Sequence, residues 1–189
     1  GDMTEKKAIR VAVPVNLRPY FDSNTTKNFF AMVSAEFIPD RNDYTFAEVA
    51  QIIHDSLQSQ ITKEHLESIF SFTVSNTKLM IARVIPLPIK NLAMRLFYNK
   101  TALSNTTTIT NIGNVQVLPE YVEYIDNFYC FIPFSKGQEI KGTITSYRDT
   151  LVYTFVSAYM DTTIQKKIFR QIASDGVDVR IETNGVYYE

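Results

Sequence analysis

The run from Asn28 to Ile38, NFFAMVSAEFI, constrains the fold of this chain more than any other stretch. Phe29, Ala31, Val33, Ala35 and Phe37 alternate with Phe30, Met32, Ser34, Glu36 and Ile38, so the run reads as a strand with two largely apolar faces. Such a strand needs cover on both sides. It predicts a central position in a layered α/β sheet rather than a place in a solvated meander.

Helices able to supply that cover follow it. Thr45 and Glu48 fit a capping box, and Phe46, Val49, Ala50, Ile53, Leu57 and Ile61 recur at helical spacing. A second pattern runs from Lys63 through Leu66, Ile69, Phe70, Thr73 and Val74, and a third carries Ile89, Leu92, Ala93, Leu96 and Phe97. Pro86 and Pro88 separate these two, because proline breaks the hydrogen-bond ladder. His54 and His65 fall 11 residues apart in this region, three turns and so one polar helix face, with no metal-ligand spacing.

Strand patterns flank the helices. Ala8 to Val15 reads as a strand in which Pro14 favours an end or edge position. Tyr121 to Phe134 is an apolar, strand-like run, and Ile140–Tyr147 with Leu151–Tyr159 reads as a hairpin turning at Arg148-Asp149. Asp161 can cap a helix with Ile164, Ile168, Phe169 and Ile172 on its buried stripe, stopped by Gly176, and Val177, Val179 and Ile181 suggest a short last strand. No repeat or low-complexity linker divides the 189 residues, and 45% hydrophobic content suffices for one core. Residues 1–189 therefore read as a single α/β domain.

Several function classes lack their residues. The 19 basic and 20 acidic side chains nearly cancel, so no broad field for nucleic acid is expected. The single cysteine, Cys130, sits in the apolar run Phe128–Ile132 and reads as a small core residue. There is no Cys/His cluster for a metal, no phosphate-cradling glycine loop and no Gly-x-Ser-x-Gly elbow. No apolar run approaches the roughly 18 residues of a membrane span, which makes a cytoplasmic location the expectation. Gly1 before Asp2-Met3 reads as a cloning remnant.

Chemistry concentrates between Asn105 and Pro119, NTTTITNIGNVQVLP. Thr106, Thr107, Thr108 and Thr110 are β-branched and carry hydroxyls, and with Ile109 they suit a strand. At its end Asn111 offers a donor and an acceptor, and Gly113 allows a turn that a larger residue would obstruct. These residues fit either a polar edge strand or a site built at a strand terminus.

Thr110-Asn111-Ile112-Gly113, followed by Val115 and Pro119-Glu120, resembles the Ser/Thr-Asn-x-Gly segment of alcohol acetyltransferase-like and condensation-domain-like proteins. These belong to the CoA-dependent acyltransferase superfamily that includes chloramphenicol acetyltransferase. Val13-Pro14-Val15-Asn16-Leu17-Arg18, Thr26-x-Asn28-Phe29-Phe30 and Ile85–Asn91 extend the resemblance in order along most of the chain. It implies the C-terminal lobe of a two-lobed protein: a two-layer sandwich with a mixed, largely antiparallel sheet and helices mainly on one face. The implied substrates are an acyl-CoA or carrier-protein thioester and a small alcohol or amine acceptor, with no tightly bound cofactor and no metal. Thr108, Thr110, Asn111 and Gly113 would line a tunnel between the lobes and stabilise an oxyanion. Asn16 and Arg18 would order an interface loop, although Arg18 also fits a plain surface ion pair. The superfamily's His-His-x-x-x-Asp base is absent, so no catalytic residue is assigned. A missing N-terminal lobe would carry it, and the isolated lobe would self-associate. The competing expectation is a non-catalytic binding module that keeps the fold.

Overall fold

The computed structural model describes residues 7–78, 85–102 and 104–184. Within these, β1 (Ile9–Asn16), β2 (Phe30–Phe37), β3 (Thr107–Asn114), β4 (Ile140–Tyr147) and β5 (Thr150–Ser157) form one mixed sheet in the order β2-β1-β3-β4-β5. The helices are α1 (Phe46–Gln60), α2 (Lys63–Lys78), α3 (Leu87–Ala102) and α4 (Thr163–Ser174), with a 3₁₀ turn at Pro119–Tyr124. β1, β3 and β4 run parallel, and β2 and β5 flank them antiparallel. The chain is α/β, with β2 and β5 at opposite edges of one sheet; two of its four pairings are parallel, so it is mixed but not largely antiparallel as the resemblance implies.

The edge position of β2 corrects the central place expected from its sequence. Its outer backbone is covered not by a strand but by α1. Gln60 Oε1 accepts the Ser34 N–H at 3.2 Å, Gln60 Nε2 donates to the Ser34 carbonyl at 2.9 Å, and Ser56 Oγ accepts the Glu36 N–H at 3.3 Å. One side-chain amide thus replaces the peptide of a neighbouring strand and closes an edge that would otherwise recruit another chain. On one face of β2, Ala31 and Val33 are buried with Leu17 and Leu66, and Leu57, Ile61 and Ile69 pack around them. On the other face Phe30 and Met32 remain 51% and 43% exposed. The two apolar faces of the sequence run are therefore treated differently.

The cap of α1 forms as its residues predict. Thr45 Oγ1 accepts the Glu48 N–H, and the Glu48 carboxylate accepts the Thr45 N–H at 2.8 Å. That backbone bond, reinforced by the Thr45 hydroxyl and Arg41, holds the Glu48 carboxyl below the usual carboxylate range. Its stabilising contribution is accordingly complete above the unfolded pKa and is lost as pH falls through the lower folded value. Thr45→Ala is expected to cost about 1 kcal/mol, read by urea unfolding at neutral pH. α1 and α2 are separate helices broken at Ile61-Thr62, so the shared face expected for His54 and His65 does not exist; both side chains are exposed.

The second half of the sheet is covered on both faces. α4 lies over β5, where Phe169 meets Tyr153 and Phe155 edge-on with centroids 6.3 and 5.7 Å apart. Gly142 on β4 sits beneath the Tyr153 ring, and a Cβ there would lie 2.9 Å from Cε2. Burial raises the Tyr153 phenol above its ordinary pKa. Gly142→Ala must displace a ring held by two neighbours, and a loss of about 1 to 3 kcal/mol is expected in thermal unfolding. α4 starts with Asp161 accepting the Thr163 N–H at 2.9 Å. It ends in a Schellman turn: Val177 N–H reaches the Ile172 carbonyl, Gly176 N–H reaches Ala173, and Gly176 takes φ +88°.

Two expected strands are absent. Tyr121–Phe134 is a 3₁₀ turn followed by irregular backbone, because side chains rather than a ladder take its carbonyls. Thr143 Oγ1 donates to the Cys130 carbonyl at 2.7 Å, Thr145 Oγ1 to Phe128 at 2.9 Å, and Thr154 Oγ1 also reaches Cys130. The threonine face of β4 and β5 thereby fastens this segment across the sheet opposite α4. Val177–Ile181 is coil, since no described strand lies in register to complete its ladder. The side chains of Thr73 and Val74, expected in the α2 stripe, lie outside the described residues.

Candidate functional site

The candidate site begins with a proline. Even-numbered residues of β1 turn their N–H groups towards β3, as Arg10 does in donating to Thr106 Oγ1, whereas Leu17 donates to Phe29 on the β2 side. Pro14 therefore presents its missing donor to β3. The β1–β3 ladder consists of Val11 with Thr107 and Ala12 with Thr108, and it stops there. Beyond Pro14 the two parallel strands part at their carboxyl ends. Pro14 was expected at a strand end or sheet edge; the structure places it in a strand with neighbours on both sides, where it ends one ladder.

β1 runs on from this point through the Leu17–Phe29 loop into antiparallel β2, whereas the β3-to-β4 connection crosses the threonine face. α1 and α2 leave from the other end of the sheet, after Phe37, which pairs with Ile9. Ligands in open α/β sheets bind outside the carboxyl ends of the parallel strands, and for β1 and β3 that is the end carrying Asn16 and Asn111.

On the β1 side, Arg18 organises the loop. Its guanidinium donates to the carbonyls of Thr25 at 3.0 Å and Lys27 at 2.9 Å, and its backbone N–H donates to Asn16 Oδ1 at 3.1 Å. Leu17 is fully buried between them, which anchors the loop to the core. The surface ion pair considered for Arg18 is replaced by bonds to backbone carbonyls.

On the β3 side the residues separate by face. Thr108 and Thr110 share one face and Asn111 lies on the other, as strand alternation requires. Thr108 is buried and donates to Gln138 Oε1 at 2.7 Å, so its proton is already committed. Thr110 is half-buried, and among the described residues its hydroxyl has no hydrogen-bond partner. Asn111 Oδ1 accepts the Gly113 N–H at 2.9 Å, which fixes the amide and leaves Nδ2 as an exposed donor. Gly113 takes φ +82° at a register shift between β3 and β4, a conformation that disfavours any side chain. Asn111-x-Gly113 is thus a bulged strand end held by its own side chain.

Among the described residues, no group of three or more His, Cys, Asp or Glu side chains is arranged to hold a metal, and no helix is long and apolar enough to cross a membrane. Sequence reasoning missed Pro14 and Gln138 as determinants of this site. Pro14 carried a usable signal, a missing donor inside a strand; Gln138 carried none, because its contact with Thr108 spans 30 residues. Comparison of the chain with protein-family models, curated proteins and solved structures returns no match.

Proposed function

We propose that this chain is the C-terminal lobe of a two-lobed, CoA-dependent acyltransferase resembling chloramphenicol acetyltransferase, with its helices mainly on one face of a two-layer sandwich. Its role is to line the acyl-transfer tunnel rather than to supply the base. The observation that carries this reading is the parting of β1 and β3 at their carboxyl ends, where their ladder stops at Ala12 and Thr108. There the Thr110 hydroxyl and the Asn111 Nδ2 are uncommitted donors, beside a loop fixed by Arg18. Donors aimed at a developing oxyanion are worth far more in a closed, dry site than in water. A thioester carbonyl attacked by an alcohol or amine is the chemistry they fit. The two donors lie on opposite faces of β3, so they serve one oxyanion only if the bulge at Gly113 brings the Asn111 amide around the strand end.

Closing the site requires a second surface. At that end of the sheet Phe30, paired with Asn16, is 51% exposed, and Ile112 of β3 is 50% exposed. Continuous apolar exposure of more than a few hundred Å² is uncommon on soluble monomers. The isolated lobe is expected to self-associate, using β3 and the Asn16–Tyr20 loop against a second copy. Light scattering over a concentration series measures this, and Thr110→Arg should weaken the dimer about tenfold or more while circular dichroism stays unchanged. A strictly monomeric lobe at high concentration would oppose the two-lobe reading. It would favour a non-catalytic binding module, a reading supported by the missing His-His-x-x-x-Asp signature.

A further inference from the structure

The α4 side of the sheet contains an open groove of about 730 Å³, an ordinary size for a small-molecule site. Its floor is Ile109 of β3 and Gly142 of β4, which pair across the ladder, and its wall is Phe155 of β5 with Ile164 and Ile168 of α4. The charged groups that line it, Lys7, Arg10 and Glu139, all belong to the amino ends of β1 and β4 and so stand at one end. There the Arg10 guanidinium is bound to the Glu36 carboxylate at 2.8 Å, and Lys7 and Glu139 carry opposite signs. That end selects neither an anion nor a cation. Between floor and wall an ionised group would lose its water without gaining a counter-charge.

One polar group interrupts this apolar interior. Gly142 has no Cβ, and the Tyr153 ring lies where one would stand, with Cε2 2.9 Å and the hydroxyl oxygen 3.3 Å from that position. The ring therefore crosses from β5 over β4 and delivers its hydroxyl to the floor, on the strand next to Ile109. Among the described residues this hydroxyl has no hydrogen-bond partner. Burial raises its pKa, so at neutral pH it remains a protonated donor. A phenylalanine would pack the same ring, whereas a half-buried hydroxyl left unpaired is unfavourable. The donor calls for an acceptor that none of the described residues supplies.

We propose that the groove binds a neutral aromatic molecule bearing a carbonyl, with its ring on Ile109 and Ile168 and its carbonyl oxygen accepting the Tyr153 O–H. Three features select this chemistry. Floor and wall are apolar, and the charged groups at the amino end balance in sign or are already paired, so a neutral ligand fits best. The Tyr153 and Phe155 rings, with centroids 4.4 Å apart and planes tilted by 36°, offer an aromatic surface against which a flat ring packs. The single uncommitted donor matches a single acceptor, and a carbonyl oxygen is a strong neutral one. Because the groove is open, the ligand stays partly solvated, and a Kd of about 1 to 100 μM is expected. None of Asn16, Arg18, Thr110 and Asn111 lines the groove, so this inference does not depend on the acyl-transfer reading.

The test is a fluorescence titration of the full chain with two probes. One is prodan, a dimethylaminonaphthyl ethyl ketone; the other is dimethylaminonaphthalene, which keeps the rings and lacks the carbonyl. Prodan should bind saturably, with its emission shifted to the blue of that in water. Tyr153→Phe keeps the aromatic ring and should weaken prodan about three- to tenfold, while the affinity of the second probe stays within about twofold. Ile168→Trp fills the groove and should weaken both probes by about tenfold or more. The unaltered chain gives a readout that no variant can compromise: nuclear Overhauser effects from the ethyl protons of bound prodan to the Tyr153 ring. No saturation below about 1 mM, an equal effect of Tyr153→Phe on both probes, or Overhauser effects to other tyrosines only would overturn the proposal. Prodan binding that falls as the chain is concentrated would assign the groove to a second copy and equally refute it.

Discussion

Leu66→Ala is expected to lower the unfolding free energy by about 2 to 5 kcal/mol, enough to remove a large share of the stability of an ordinary domain. Leu66 is fully buried and belongs to the small cluster of Leu17, Ala31 and Val33, around which Val13, Phe29, Leu57, Ile61 and Ile69 gather. α2 joins the sheet mainly through this cluster, so the cavity left by alanine has little else to collapse onto. Urea unfolding should show a lower midpoint with an unchanged slope. The expected consequence extends to the site, because Leu17, the anchor of the Arg18 loop, lies in the same cluster. Loss below about 1 kcal/mol would mean that the cluster is not the main core of the described chain.

The fold class was legible because its strongest signals are local. The Thr45–Glu48 box, the half-buried stripe of Val49, Ile53 and Leu57, the hairpin around Arg148-Asp149 and the Gly176 stop depend on residues within a few positions of one another, whereas Phe46, expected in that stripe, is 80% exposed. Sheet position was not legible in the same way. The two apolar faces of β2 fit a central strand, but the edge is occupied by Gln60 and Ser56, polar residues whose role depends on where α1 lies. Tyr121–Phe134 failed for a related reason. Its apolar alternation suits a strand, yet threonine hydroxyls on β4 and β5 take the carbonyls that a ladder would need.

At the site, sequence chemistry identified the residue types and alternation separated them. The turn at Asn111-x-Gly113 was readable from the glycine and the amide alone. Equal roles for Thr108 and Thr110 were not distinguishable in sequence, since both are β-branched hydroxyls on one face. Only the position of Gln138, brought in by the long β3-to-β4 connection, shows that Thr108 has spent its proton and Thr110 has not.

The acyl-transfer reading predicts that this polypeptide alone does not release thiol from acetyl-CoA, whatever alcohol is offered. On that reading the tunnel residues hold and polarise a thioester while the base that removes the acceptor's proton belongs to the other lobe, and such a base contributes about 100- to 10,000-fold. His54 and His65 are exposed on two different helices. The most direct measurement is thiol release from acetyl-CoA with mixed alcohol acceptors, comparing this chain with the same chain joined to a His-His-x-x-x-Asp lobe. The account predicts background rates for the chain alone, turnover for the joined protein, and a drop of about 100-fold on Thr110→Val in the joined protein. Turnover by the chain alone that disappears in His54→Ala or His65→Ala, or a joined protein indifferent to Thr110→Val, would contradict it.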